Sequence, residues 1–488
     1  MSVEARIQSS LGRRQTTIAL MIATAIQALD TTIANVALPQ LEQSLGGGIE
    51  LGSWVMTSYL CASAIMATLT GWLRRRYGAR PLFIGSIGLF IIASGLCSIA
   101  PSSVALIQFR LVQGIAAGVI QPLSQAILLD IYPQHDHGRM LAIWGATIMA
   151  GPILGPVLGG VIADLSSWRW IFVLNIPLGL IAILGLGQVP STIEPTTKAR
   201  IDGVGLVLLI IGVGALQLAL QRMIGQTWPL STETAAEVAV AVFALAGIGI
   251  RSLRSQFTLF RFEVFRSVNF SAAVFYNFLV AALLFTTIVF LPALSEGPLG
   301  YDATQAGLAL SPRGFATMAT MMAVRYLIDR VDHRALLGIG IVITAGALVL
   351  MARVPADGGG LWLAAASAIQ GIGVGFLFTP LSTLAFSNLG AELRTDAAGV
   401  YSLLRQLGCA TGVAVMTAVL QARIHGHFLL GFNALAAGTP SPSEAANYGV
   451  FTAYTGCFQT MAIITALTLP GILLFRVLRP EAAAPSAA

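Results

Sequence analysis

Fourteen stretches of about twenty mostly apolar residues follow one another along this chain, and a helix needs roughly that length to cross the hydrocarbon core of a bilayer. They fall at 16–38, 51–73, 80–99, 103–127, 139–163, 170–189, 203–222, 235–253, 268–293, 302–326, 335–352, 360–386, 396–421 and 454–477. A composition of 56% hydrophobic and 10% charged residues, with mean hydropathy +0.82, lies outside the range of soluble globular chains. The expected fold class is therefore an all-α polytopic membrane protein. The first apolar run is too long for a cleaved signal sequence and carries Asp30, so it reads as the first span.

Charge sets orientation. With the N-terminus inside, 20 of the 27 Lys and Arg residues fall on that side, among them Arg74, Arg75, Arg76 and Arg80. Arg169, Arg222, Arg353 and Arg423 fall outside, and Arg110, Arg313 and Arg405 lie within spans. Both termini are then cytoplasmic. The net charge of +6 serves topology and anionic lipid headgroups, and no nucleic-acid partner is expected. Spans 1–6 end in the polar linker Pro190 to Asp202, and spans 9–14 begin after the basic segment Arg251 to Arg266. This gives a six-helix bundle over 1–190, a linker and two-helix insert over 191–266, a second bundle over 267–479 and a disordered tail over 480–488. Two six-span halves typify secondary transporters, whose substrate site lies near the midplane between them.

A carboxylate inside a membrane span is costly and is usually kept for ion or proton work. At 100° per residue, Gln27, Asp30, Thr31 and Asn35 share one side of the first span, opposite an apolar side, as for a cavity-facing stripe. Desolvation is expected to raise the Asp30 pKa towards neutrality, which suits proton exchange. Arg110, Gln113, Gln121 and Gln125 share a sector of span 4, too polar for a lipid-facing surface. An approach of Arg110 to Asp30 would oppose the desolvation and make proton affinity sensitive to whatever parts the pair. Arg405, with Ser402 and Gln406, offers anion binding, charge compensation or a structural tether, and Arg313 beside Pro312 reads as structural. Tyr59 and Trp54 are expected as interface anchors. Cys61, Cys97, Cys409 and Cys457 read as small packing residues, and His135-Asp136-His137 falls short of a metal site. No cofactor, metal centre or enzyme motif is expected.

Several motifs converge on one family. Gly71-Trp72-Leu73-Arg74-Arg75-Arg76-Tyr77-Gly78-Ala79-Arg80 resembles the Gly-x-Leu-(x)4-Gly-x-Arg/Lys loop of the major facilitator superfamily, and Arg110-Leu111-Val112-Gln113-Gly114 resembles its Arg-x-x-Gln-Gly signature. The run Gly145 to Gly160, with Gly151, Pro152, Gly155, Pro156 and Gly159, resembles the antiporter motif. Its glycines, four apart, make one close-packing helix face, and its prolines permit a bend. With Leu29 to Pro39 and Trp168 to Gly179, the whole chain resembles the fourteen-span EmrB/QacA-type drug:proton antiporters, in their EmrB-like branch. Arg75 stands where the superfamily commonly has Asp, so the usual acid-to-base contact between helix ends is not expected in that form.

The resemblance implies a major facilitator fold whose cavity is lined by spans 1, 4, 9 and 12. It further implies Asp30 and Arg110 as the proton-coupling pair, and Gly71, Gly78 and Arg80 with the antiporter motif as gating elements. Substrate contacts are expected from Gln27, Thr31, Asn35, Gln113, Gln121, Tyr276, Asn277, Gln370, Phe376, Phe378 and Arg405, with Phe275 and Thr379 nearby. The implied activity is efflux of amphipathic organic compounds across the inner membrane, driven by the proton gradient through alternating access. The implied partners are an EmrA-type periplasmic adaptor and an outer-membrane channel. The alternatives are a dedicated exporter of one metabolite such as an antibiotic, siderophore or fatty acid, then a proton symporter for uptake, then a membrane receptor.

Overall fold

The computed structural model of the chain describes residues 10–36, 41, 44–45, 48–165, 167–186, 202–223, 231–254, 262–301, 303–328, 330–355, 359–435 and 442–475. Among them are fourteen long helices. In the first half these are α1 (Ser10–Val36), α2 (Gly48–Tyr77), α3 (Ala79–Ser98), α4 (Ser103–Ile131), α5 (His137–Leu165) and α6 (Arg169–Gly185). Then come α7 (Gly203–Met223), α8 (Thr232–Arg254), α9 (Val268–Glu296), α10 (Ala303–Leu327), α11 (His333–Ala352), α12 (Gly360–Phe386), α13 (Ala391–Leu435) and α14 (Pro442–Leu467). Each coincides with one apolar run of the sequence. Eleven are long and apolar enough to cross a membrane by length and composition; α5, α6 and α10 are not in that set.

The starts of these helices are locally encoded. Ser102, Ser267 and Asp332 accept backbone N–H bonds from the first turns of α4, α9 and α11, satisfying donors that a helix cannot satisfy itself. At the turn between α2 and α3, Gly78 takes φ 82°, a left-handed conformation that explains glycine at this point of the loop motif. Pro122, Pro292, Pro312 and Pro380 lie inside continuous helices. The helix α5 also runs unbroken through Pro152 and Pro156.

Helices α1–α6 pack on one another, α9–α14 do likewise, and α7–α8 form a hairpin resting through α7 on α2 and α13. Asp202 holds the hairpin's lower end, accepting from Gly205 N at 2.9 Å and from Arg251 Nε at 2.8 and 2.9 Å. At its other end Arg222 pairs with Glu237 at 3.1 Å and with Glu233.

Glycine pairs four residues apart bring the helices into close contact, and they do so in the same pattern twice. Gly151 and Gly155 of α5 lie on Ala28 and Thr32 of α1, and Gly408 and Gly412 of α13 lie on Phe278 and Ala282 of α9. Gly114 and Gly118 of α4 lie on Tyr59 and Ser63 of α2, and Gly371 and Gly375 of α12 lie on Arg313 and Thr320 of α10. At all eight glycines a methyl group would overlap the neighbouring helix. Without a hydrophobic force between helices in lipid, such close approach supplies the van der Waals contact that holds them. Advancing by eight helices maps one half's seams onto the other's.

The antiporter-motif glycines therefore form a seam inside the first half, and Gly159 is buried on the same face. Replacing Gly151 with Val is expected to cost about 1–3 kcal/mol through overpacking. Thermal denaturation of the purified protein in detergent checks this against Gly249→Val, whose added methyl meets nothing within 4 Å. Equal melting of the two variants would contradict the seam.

Candidate functional site: a sealed ion pair and the contact between the halves

Asp30 lies about three-quarters of the way along α1 and is 0% exposed. Its Oδ2 accepts from Arg110 Nη1 of α4 at 2.7 Å. Its Oδ1 accepts from Gln113 Nε2 at 3.0 Å and from Asn175 Nδ2 of α6 at 2.9 Å. Those two amides also donate to one hydroxyl, Ser94 Oγ of α3, at 2.6 and 2.9 Å. Arg110 Nη1 donates in turn to Gln113 Oε1 at 2.7 Å. Four helices thus converge on one carboxylate.

The guanidinium is also 0% exposed, and its Nε and Nη2 have no hydrogen-bond partner among the described residues. Aromatic faces meet it instead: its carbon sits 4.4 Å from the centre of the Tyr59 ring and 5.5 Å from that of Phe172. A cation over a ring face is attracted by the ring quadrupole, more strongly where water is excluded. Tyr59 is thus an internal residue, fully enclosed, whereas Trp54 is 48% exposed as an anchor would be. Ser94, Asn175, Tyr59 and Phe172 were not singled out from sequence for this site; the available signal was polar or aromatic side chains within apolar runs.

The expected cavity stripe on α1 lies against neighbouring helices. Gln27 is buried, and Thr31 Oγ1 bonds the Gln27 carbonyl at 2.9 Å and lies 3.4 Å from the Tyr59 hydroxyl. The side chains of Asn35, Pro152 and Pro156 lie outside what the structure describes. Gln113 belongs to the Asp30 network rather than to a substrate surface.

In the second half, Asn277 Nδ2 donates to the Tyr401 carbonyl at 2.9 Å and Gln370 Nε2 to Thr287 Oγ1 at 3.1 Å, both buried ties between helices. Tyr276 donates to the Thr468 carbonyl and packs on Phe475 at 5.5 Å between ring centres. With the exposed Phe275, it lines an apolar groove of about 570 Å³ on the outer surface between α9 and α14, away from the other half. Phe376 is half-buried on α12. Of the expected substrate contacts, only Phe378, Arg405 and Gln121 meet across the two halves among the described residues. Phe378 packs against Gly145 of α5, and Arg405 Nη2 donates to Gln121 Oε1 at 2.8 Å.

The halves share a polar contact at the arginine-rich end of α2 and the adjoining end of α4. Arg74 pairs with Asp130 of its own half and donates to Thr395 Oγ1 of α13, while Arg394 Nη1 donates to the Leu129 carbonyl at 2.9 Å. Arg75 pairs with Asp396, which is 0% exposed. The acid-to-base contact, not expected in its usual form, is made with its charges exchanged: the base stands on the loop and the acid on the other half. Gly71 faces Asp396 so closely that any side chain there would overlap it. Arg80 lies in the first turn of α3. His137 begins α5 beside this cluster with Nε2 at 3.0 Å from the Tyr132 carbonyl. Burial lowers its pKa and neighbouring Arg394 adds to that, against the upward pull of the Tyr132 carbonyl, so the ring stays neutral near pH 7.

Apolar packing repeats this asymmetry. One core cluster joins Ala64, Leu69, Leu129 and Leu141 of the first half to Leu384, Ala397 and Tyr401 of the second, all near the arginine-rich end. At the opposite end one cluster, around Ile33, Val55 and Trp168, stays in the first half, and another, around Phe290, Leu348 and Phe458, stays in the second. Among the described residues, the halves are joined at one end and packed separately at the other.

Residues 20–413 match the family described as Major Facilitator Superfamily. The chain is 38% identical over 403 residues to proteins named Multidrug export protein EmrB, from Haemophilus influenzae (strain ATCC 51907 / DSM 11121 / KW20 / Rd) and from Escherichia coli (strain K12); each match covers 82% of this chain and 79% of the relative. It is 33% identical over 411 residues to the Fatty acid resistance protein FarB of Neisseria gonorrhoeae, covering 83% of this chain and 80% of that one. Among solved structures, the human organic anion transporter MFSD10 aligns with TM-score 0.62 at 17% identity, over 93% of this chain and 99% of that one. The proton:xylose symporter XylE aligns with TM-score 0.58 at 14% identity, over 96% of each chain. These two show likeness of fold alone.

The exchanged latch can be tested by a double-mutant cycle in the full chain carrying Gln134→Cys and Ser387→Cys, whose native side chain and carbonyl lie 3.1 Å apart across the halves. Arg75→Gln and Asp396→Asn are each expected to lower the disulfide yield about fivefold, about 1 kcal/mol, and the double variant no further than the stronger single. Strict additivity would show that the two side chains act independently.

Proposed function

Because this chain belongs to the major facilitator superfamily, we propose that it is a proton-driven exporter of amphipathic organic compounds, working by alternating access between its two halves. All fourteen helices cross the inner membrane in this reading, with both termini cytoplasmic and the arginine-rich end facing the cytoplasm. Likeness to EmrB proteins over four-fifths of both chains supports multidrug efflux. The observation that carries proton coupling is the sealed Asp30–Arg110 pair.

An ionised carboxylate in a lipid-shielded interior is tolerated because a guanidinium faces it; removing one partner of such a pair typically costs about 3–5 kcal/mol. A proton on Asp30 has the same electrostatic effect as removing the partner. It frees Arg110, which keeps its charge, and loosens two amides that tie α3, α4 and α6 to α1. The Gly151 and Gly155 seam transmits a shift of α1 to α5, and α5 touches the second half through Gly145 and Phe378. Protonation from outside and drug release then accompany one another, and proton loss inside restores the closed pair and drug affinity. In the described state the acid is enclosed, so proton exchange belongs to a state in which α1 has moved.

An EmrA-type adaptor and an outer-membrane channel complete the route beyond the inner membrane in this reading. The site needs no bound cofactor; the proton gradient supplies the energy.

The test is substrate-induced proton flux in proteoliposomes across a chemically varied panel. Wild type is expected to move protons with at least one amphipathic compound, and Asp30→Asn to lose that flux by tenfold or more while substrate still protects the protein from thermal unfolding. Wild-type flux in Asp30→Asn would refute the carrier role.

A further inference from the structure

The acid at the heart of the first half is already neutralised by its own arginine, and what remains uncompensated in the membrane interior is positive. In α9–α14 the deepest Asp or Glu is Asp396, five positions after Ala391, where α13 begins, and it pairs with Arg75. Yet α10 carries Arg313 and α13 carries Arg405. Each stands fourteen positions from the arginine-rich end of its helix, counted from Leu327 and from Ala391 respectively. At the helical rise this puts both about 21 Å along their helices.

Arg313 is 8% exposed, and its Nη1 is buried without a hydrogen-bond partner. Arg405 is half-buried and donates to a neutral amide oxygen, Gln121 Oε1, at 2.8 Å. Among the described residues, neither has a carboxylate within ion-pair distance. A guanidinium does not lose its proton in a protein, so two of them in an apolar interior call for a compensating negative charge. Both helices face the other half: α10 packs on α5, and α13 on α2 and α4. The Arg405 charge therefore stands on a wall that parts when the halves separate, while the Arg313 backbone lies in the α10–α12 seam of the same half.

We infer that Arg405 and Arg313 form an anion-recognition element of the translocation path, and that the transported compound is an amphipathic organic anion with an oxyanion group on an apolar body. This rests on the exporter reading and specifies its substrate. Arg405 makes the direct contact: a carboxylate accepts from the planar fork through two parallel N–H bonds, which a single amide oxygen cannot match. Gln121 Oε1 holds the place of one anionic oxygen while the halves are closed. Arg313 contributes its field from α10, and Phe378, which packs on Gly145 across the halves, offers apolar surface for the body. A cationic amphiphile meets two like charges here, so discrimination comes from repulsion as well as attraction.

The experiment measures equilibrium binding to the full chain in nanodiscs at pH 8, using an aryl-alkyl carboxylate, its methyl amide and the amine of the same skeleton. The carboxylate is expected to bind saturably and at least tenfold more tightly than the amide, with the amine weakest. Arg405→Gln should abolish that preference and Arg405→Lys keep most of it, while Arg313→Gln weakens the carboxylate about threefold or more and leaves the amide unchanged. The inference is overturned if amide or amine binds as tightly as the carboxylate, if both glutamine variants keep the preference, or if the carboxylate does not bind saturably. Proton flux driven only by cations would leave the exporter reading standing and sink this one. Selective carboxylate binding with no proton flux for any compound would do the reverse.

Discussion

The rest of the structure depends on a carboxylate and a guanidinium that share a space closed to solvent. Asp30 and Arg110 sit where a lone charge would be intolerable, and each is made tolerable by the other. Their environment is built in layers. Gln113 and Asn175 fill the second carboxylate oxygen, Ser94 holds both amides in place, and Tyr59 and Phe172 cover the guanidinium nitrogens that no acceptor reaches. Because the network draws one residue or more from α1, α3, α4 and α6, the protonation state of a single side chain bears on how four helices pack. A hydrophobic pair of the same volume would hold them at least as well, but it could not be switched.

In the proposed mechanism such a switch matters only if the first half can move against the second, and the distribution of contacts permits this. Polar and apolar contacts between halves gather at the arginine-rich end, whereas each half keeps its own core at the other. Most of the close contacts within halves are of another kind: six of the eight seam glycines lie on backbone carbonyls and Gly155 and Gly375 on threonine side chains, which favours each half moving as a unit. Between halves Gly399 of α13 also lies on the Ala67 carbonyl of α2, but ion pairs, side-chain hydrogen bonds, apolar side chains and an aromatic ring on a glycine make up the other contacts, and these can be exchanged for water or ligand.

Helix placement was legible because period and length are local properties: every apolar run became a helix, with ends displaced by a few residues except at α13 and α14, where helix extends well past the apolar stretch. The position of Asp30 and Arg110 on polar faces was legible for the same reason. What covers those faces was not, since periodicity assigns a residue to one side of its helix and is silent about the neighbour. Tyr59 looked like an interface anchor because its chemistry suits that role, yet the Gly114 contact draws α2 against α4 and puts its ring over Arg110. The contact of Arg75 with Asp396 was not legible because its partner lies 321 positions away, and nothing in the loop motif indicates that an acid waits there.

The duplicated seams give the two halves a common frame, so their differences can be read position by position. Aligning Gly114 and Gly118 of α4 with Gly371 and Gly375 of α12 sets Gln113 against Gln370 and Arg110 against Ser367. The glutamine is kept, but in the second half it donates to Thr287 and its oxygen, like the Ser367 hydroxyl, lacks a partner. Aligning the α1 and α9 seams sets Asp30 against Val280. The second half therefore repeats the scaffold of the ion-pair site without either charge, and carries its own arginines elsewhere, on the two helices that meet the first half. Such a division has a physical advantage. A titrating acid next to the substrate's charge would compete directly with it, whereas an acid in one bundle and uncompensated arginines in the other couple only through the motion of one bundle against the other.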